Sequence, residues 1–243
     1  MITQLRPDPE PLDEAALTEL YVDKAERPLL RANFVTSIDG AVELDGYSAG
    51  LSGPADKQVF GLLRMVCDAL LVGAGTLRHE GYREIRLDEV RRRWRLEHGL
   101  AEYPTMVVVS GRLALDPTNR ALAAAPVRPI VVTHASAVGR EAFAQVADIV
   151  AVGDDGTVDL RAALAELNGR GLRHVLCEGG PHLLGALTAA DLVDEMCLTV
   201  SPLLTGPGAG RITAGPICPD GPRQYALRHV LVAGDMLLLR YAR

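Results

Sequence analysis

The chain has 243 residues, 48% hydrophobic and 23% charged, with 24 Gly and 15 Pro scattered along it. That composition excludes fibrous, low-complexity and disordered classes and fits a globular α/β chain. A formal net charge of −6 supplies no long-range field for nucleic acid or an anionic membrane, so an anionic ligand must be held by a local cluster of donors.

The N-terminal residues carry Pro and acids where a signal peptide needs an apolar stretch, and no run approaches the about 18 apolar residues that span a bilayer. Residues 1–27 are therefore expected to be a leader with a short helix over Leu12 to Val22, packed on a single domain of residues 28–243. Leu29 to Thr36 reads as a strand ending at the turn Ser37-Ile38-Asp39-Gly40. Gly53-Pro54 opens a helix in which Val59, Leu62, Leu63 and Val66 recur at helical spacing. Ala69-Leu70-Leu71-Val72 is a buried strand, followed at once by Gly73-Ala74-Gly75-Thr76.

Residues Glu84 to Gly99 mix five arginines with acids and offer few apolar positions, so an exposed helix or insertion is expected. Beyond it strands at Thr105 to Val109, Pro129 to Thr133, Ile149 to Val152 and His174 to Cys177 alternate with helices. The helices fall around Arg140 to Val146, from Asp159 to Gly169, and from Pro181 to Ala190. Glu195 to Val200 alternates as a strand, and Val230 to Val232 and Met236 to Leu239 flank Gly234-Asp235 as a terminal hairpin. The pattern predicts a layered α/β domain with helices on both faces of a mixed sheet.

Two strand-to-helix junctions, Gly73 to Thr76 and Glu178 to Pro181, present bare backbone N–H groups suited to a phosphate or pyrophosphate. Neither is a dinucleotide fingerprint or a Walker loop, because Arg78 stands where the third glycine belongs and no Gly-Lys-Ser/Thr follows. The six histidines and the cysteines Cys67, Cys177, Cys197 and Cys218 show no metal-ligand spacing, so no metal is expected and the thiols are expected reduced, as in the cytoplasm. A Gly-x-Ser-x-Gly elbow is absent.

The segments NFVTSIDGAV, LSGPADKQVFGLLRMVCDALLVGAGT, VVVSGRL and LCEGGPHLLGALTAADLVDEMCLTVSPLLTG, in that order, resemble the reductase half of the riboflavin-biosynthesis deaminase-reductase family. The resemblance implies a dihydrofolate-reductase-like α/β/α fold with a mostly parallel sheet, NADPH as cofactor, a homodimer, and reduction of the ribosyl group of a 5-amino-6-(5-phosphoribosylamino)uracil to ribityl. It places Gly73, Ala74, Gly75 and Thr76 on the cofactor, with Glu178, Gly179, Gly180, His182 and Leu183 as the facing wall. Ser110 and Arg112 fall where the adenosine 2′-phosphate is expected, facing the two junctions. Asn33, Ser52, Arg64 and Glu178 fall on the phosphorylated substrate.

The loop after Gly73-Ala74-Gly75-Thr76 departs from the family pattern. Glu80 aligns with the first of two acids, the second acid and the proline are lost, and Leu87 stands where the motif ends in Arg. Glu80 is thus the carboxylate expected to assist the sugar. Two other readings stay open: an NADPH-dependent reductase of a pterin such as dihydrofolate, and a nucleotide-binding homologue without turnover.

Overall fold

The computed structural model describes residues 11–23, 27–154, 156–216, 218 and 221–243. The N-terminal part of the expected leader, residues 1–10, lies outside them. Among the described residues a short helix α1 (Glu14–Glu19) precedes β1 (Leu29–Ser37), α2 (Pro54–Val66), β2 (Ala69–Gly73), α3 (Ala74–His79) and α4 (Glu89–Glu97). Then come β3 (Thr105–Val109), α5 (Arg120–Ala123), β4 (Ile130–Thr133), β5 (Asp148–Ala151), α6 (Leu160–Gly169), β6 (His174–Cys177) and α7 (Pro181–Ala189). The chain closes with β7 (Glu195–Ser201), β8 (Ala226–Ala233) and β9 (Met236–Ala242).

The strands form one sheet in the order β5-β4-β3-β2-β6-β1-β7-β9-β8, parallel except where β9 pairs antiparallel with β7 and β8. In β2, Leu70 and Val72 enter one apolar layer, while Ala69 and Leu71 enter the layer on the opposite face. The strand is buried on both sides, which is why its sequence is an unbroken apolar run. Helices α2, α3 and α5 cover the first face through Leu62, Leu63, Leu77 and Leu122, and α6 and α7 cover the second through Leu167, Leu184 and Leu187. Asp13, Asp88 and Asp159 cap α1, α4 and α6 by accepting backbone N–H groups, and Pro54 and Pro181 open α2 and α7.

Several expected elements change. The helix expected over Leu12 to Val22 is confined to Glu14–Glu19, and the one expected around Arg140 to Val146 is a single 3₁₀ turn, Arg140–Phe143. Each is too short for its periodicity to set a boundary. The terminal hairpin is longer than its apolar residues indicate, because β8 is an edge strand whose residues are largely exposed.

Arg95 overturns the reading of its helix as merely exposed: its side chain is 0% exposed. Its guanidinium donates to the carbonyls of Met65 and Cys67 at 2.7 and 2.6 Å and of Ala101 at 2.7 Å, so it caps the C-terminus of α2 from another helix.

On the far side of the sheet from β5, buried Glu195 of β7 binds Arg31 of β1 and Arg240 of β9 at 2.7 and 2.5 Å. His229 of β8 stands edge-on to Tyr21 at 5.1 Å in the same cluster. Burial, reinforced by Arg240, lowers the His229 pKa from its ordinary 6.5 to about 4. The folded pKa lies below the unfolded one, so the neutral ring stabilises the fold above pH 6.5 and that contribution is lost as pH falls. Between pH 6.5 and about 4.5 the melting temperature is expected to drop, and a His229→Gln variant is expected to drop less. Parallel slopes in a pH series of thermal melts would exclude His229 as the cause.

Candidate functional site

In the sheet order β2-β6-β1 the carboxyl ends of three neighbouring parallel strands lie side by side, where open α/β sheets bind ligands. This juxtaposition brings the two glycine junctions into direct contact. Gly73 N–H donates to Gly179 O at 2.7 Å, and Glu178 N–H to Leu71 O at 3.0 Å. A Cβ on Gly180 would lie 2.2 Å from Thr76 Oγ1, and one on Gly179, at φ +91°, would lie 2.7 Å from the Phe34 ring. Glycine at both positions is therefore required by close approach. The Gly179–Gly180 peptide is cis. Gly75 is the opposite case: a Cβ there meets nothing within 4 Å.

A cavity of about 760 Å³ opens over these ends, bounded by β1, one face of α2, the two junctions and the loop following α3. At its centre Arg64 and Glu178 form a fork: Nε and Nη2 donate to the two carboxylate oxygens at 2.7 Å each. Tyr82 donates its hydroxyl to Glu178 at 2.6 Å. The guanidinium lies 4.2 Å over the Phe60 ring and 5.7 Å from that of Tyr82. Burial first, then the Glu178 charge, hold the Tyr82 pKa well above its ordinary value, so the phenol stays a protonated donor near neutrality. Burial pushes the neighbouring Cys177 thiol up to about 12, which makes it a packing residue rather than a nucleophile.

A second loop leans over this cavity. Asp45 and Gly46, at φ 52° and 84°, turn the chain back so that Leu44 and Tyr47 pair. Tyr47 stacks on His79 at 4.8 Å, His79 Nε2 bonds Gly46 O, and Ser48 N–H donates to Glu80 Oε1 at 3.2 Å. Below it, Asp39 accepts from Ser37 and from the amides of Gly206 and Thr205, and these bonds, the Ser37 hydroxyl first, hold its carboxyl at about 2. The Ser-Ile-Asp-Gly turn is thereby a clasp between the ends of β1 and β7.

Most residues singled out from the sequence meet here. Asn33, Ser52, Arg64, Gly73, Gly75, Thr76, Glu80, Glu178, Gly180, His182 and Leu183 all line the cavity. Ala74 is buried in the core, and Gly179 packs under Phe34 outside the cavity wall. Ser110 and Arg112 are not among the cavity's lining residues: Ser110 is buried, Arg112 is exposed, and both follow β3, the strand beside β2. Arg64 and Ser52, both expected on the substrate, carry partners within the protein. Two donor nitrogens of Arg64 are engaged by Glu178, and Ser52 Oγ donates to buried Asp56 at 2.5 Å. Tyr82, Phe60, Lys57 and Arg83 were not anticipated. The spacing Lys57, Phe60, Arg64 (i, i+3, i+7) marks them as one helix face, a signal legible beforehand.

A family model described as the RibD C-terminal domain matches residues 28–236. The 2,5-diamino-6-ribosylamino-4(3H)-pyrimidinone 5′-phosphate reductase of Methanothermobacter thermautotrophicus is 28% identical over 74% of this chain and 80% of its own length. Among solved structures, a pyrimidine reductase-like protein from Corynebacterium diphtheriae matches at TM-score 0.74 and 25% identity, covering 88% of this chain and 91% of that one. Dihydrofolate reductase from Enterococcus faecalis matches at TM-score 0.52 and 13% identity, covering 88% and 96%, a likeness of fold alone. The dihydrofolate-reductase-like α/β/α architecture expected from the sequence is thus borne out.

Proposed function

The chain belongs to the RibD C-terminal domain family, and from that membership we propose that it is an NADPH-dependent reductase that converts the ribosylamino group of a pyrimidine 5′-phosphate to ribitylamino. The observation that carries this reading is the Arg64–Glu178–Tyr82 centre, set where both glycine junctions meet in a cavity of about 760 Å³. The space beyond Gly75, where a Cβ would meet nothing, suits a dinucleotide phosphate approaching the backbone.

NADPH, when bound, supplies the hydride. Gly73, Gly75 and Thr76 would hold it from one side, with Gly180, His182 and Leu183 facing them. Asn33, which lines the cavity, is assigned a hydrogen bond to the pyrimidine or its sugar. Glu80, half-buried and held by Ser48 N–H, is assigned proton exchange with the opening sugar. Glu80→Gln is expected to lower turnover by about a hundredfold with NADPH affinity nearly intact. Unchanged single-turnover rates would remove Glu80 from the chemistry.

Arg112, exposed just past β3, is proposed for the adenosine 2′-phosphate. A homodimer is proposed through the edge strand β8, where Leu227 and Val232 are exposed. The buried free thiols Cys67, Cys177 and Cys197 suit a reducing cytoplasm.

The test is NADPH and NADH oxidation with the diaminopyrimidinone and uracil ribosylamino 5′-phosphates, beside dihydrofolate. Turnover of a ribosylamino phosphate is expected, with NADPH bound about ten- to a hundredfold more tightly than NADH through one charge-assisted contact. Turnover of dihydrofolate alone would replace this reading by the pterin one.

A further inference from the structure

A phosphorylated substrate needs a cationic seat, and the two side chains first assigned to it are engaged elsewhere, Arg64 by Glu178 and Ser52 by Asp56. The same cavity is lined by two further cations, Lys57 and Arg83, both exposed. Among the described residues neither side chain makes an ion pair or a hydrogen bond. Their neighbours differ: Arg86 and Arg120 are paired with Glu84, Arg92 with Glu102 and Arg93 with Glu89.

Their positions are set by the elements described above. Lys57 lies one turn before Phe60 on the cavity face of α2, and Arg83 directly follows Tyr82. The pair therefore flanks the Arg64–Glu178–Tyr82 centre from the helix and from the loop. Of the cavity carboxylates, Glu84 is neutralised by Arg86 and Arg120, Asp56 accepts from Ser52 and Glu80 from Ser48 N–H, which leaves Glu43 the lining carboxylate without a described partner.

We propose that Lys57 and Arg83 bind the 5′-phosphate of the substrate, an assignment that rests on the function proposed above. The guanidinium supplies a planar fork for two phosphate oxygens, and the ammonium supplies a mobile point charge on a third.

The test begins with a readout that needs no turnover, calorimetric titration of the whole protein with ribose 5-phosphate and with ribose. Lys57→Gln and Arg83→Gln, both at exposed positions, are each expected to weaken ribose 5-phosphate by about ten- to a hundredfold. Neither should change the ribose titration, and NADPH affinity should stay within about twofold. In steady state KM for the phosphorylated substrate should rise by the same factor with kcat retained, and KM for the dephosphorylated nucleoside should not move. Equal weakening of phosphorylated and dephosphorylated ligands, no weakening, or loss of NADPH binding in its place would each overturn the proposal. If the wild-type protein turns over no ribosylaminopyrimidine, the proposed function fails, while the ribose 5-phosphate titration still decides whether the two cations form a phosphate seat.

Discussion

A Gly75→Val variant is expected to fold with a melting temperature at least equal to that of the wild type and to bind NADPH about a hundredfold more weakly or worse. The first half follows from space and propensity. A Cβ at Gly75 meets nothing within 4 Å, and valine is a better helix residue than glycine by a few tenths of a kcal/mol at a position inside α3. The second half follows from the use proposed for that space. Two γ-methyl groups would stand where a phosphate must come within hydrogen-bonding distance of the backbone, an overlap worth about 1–3 kcal/mol or more. Gly180→Ala provides the contrast, because its Cβ would sit 2.2 Å from Thr76 Oγ1 and force the junctions apart. That variant should lose stability as well as binding. Thermal melts and calorimetry on the two variants separate the roles, and a folded Gly75→Val protein with wild-type NADPH affinity would sink the proposed cofactor cradle.

The second large effect is expected at Glu178. Its side chain is 2% exposed and that of Arg64 is 23% exposed, so a Glu178→Gln change leaves a mostly buried guanidinium without its counter-charge. Breaking one partner of a buried pair costs about 3–5 kcal/mol, and the partial exposure of Arg64 places this case near about 3. For a chain of this length that corresponds to a fall of roughly 6–12 °C in melting temperature. Adding Arg64→Met to the same chain removes the orphaned charge and is expected to restore most of the stability but none of the turnover. If the double variant is as unstable as the sum of the singles, the two residues are not coupled.

The glycine junctions were legible because a strand-to-helix turn with successive glycines is a local pattern, and β2 and β6 announce themselves as short apolar runs. The Arg64–Glu178 fork was not, since its partners lie 114 residues apart and meet only because β6 inserts between β2 and β1. Arg64 therefore read only as a substrate contact. Arg95 was misread for a related reason: within an Arg-rich segment nothing local distinguishes a side chain that will reach the carbonyl end of α2 from its solvated neighbours. The four-residue α5 and the 3₁₀ turn at Arg140–Phe143 are shorter than the window in which a helical period can be counted.

The position of β1 also bears on how the chain is made. Among the described residues it is the first strand in the chain, yet its two neighbours in the sheet are β6, which begins at His174, and β7, which begins at Glu195. At about 5–20 residues per second, some 140 residues of further synthesis keep both edges of β1 unpaired for about 7–28 s. Throughout that interval Leu29, Leu30, Ala32 and Phe34 are on a nascent chain with neither native neighbour of β1 to pair with, an aggregation hazard of the kind that holdase chaperones cover. Slower synthesis of the residues between β1 and β6 lengthens that exposure, so soluble yield is expected to fall as translation slows there, independently of the stability of the finished fold.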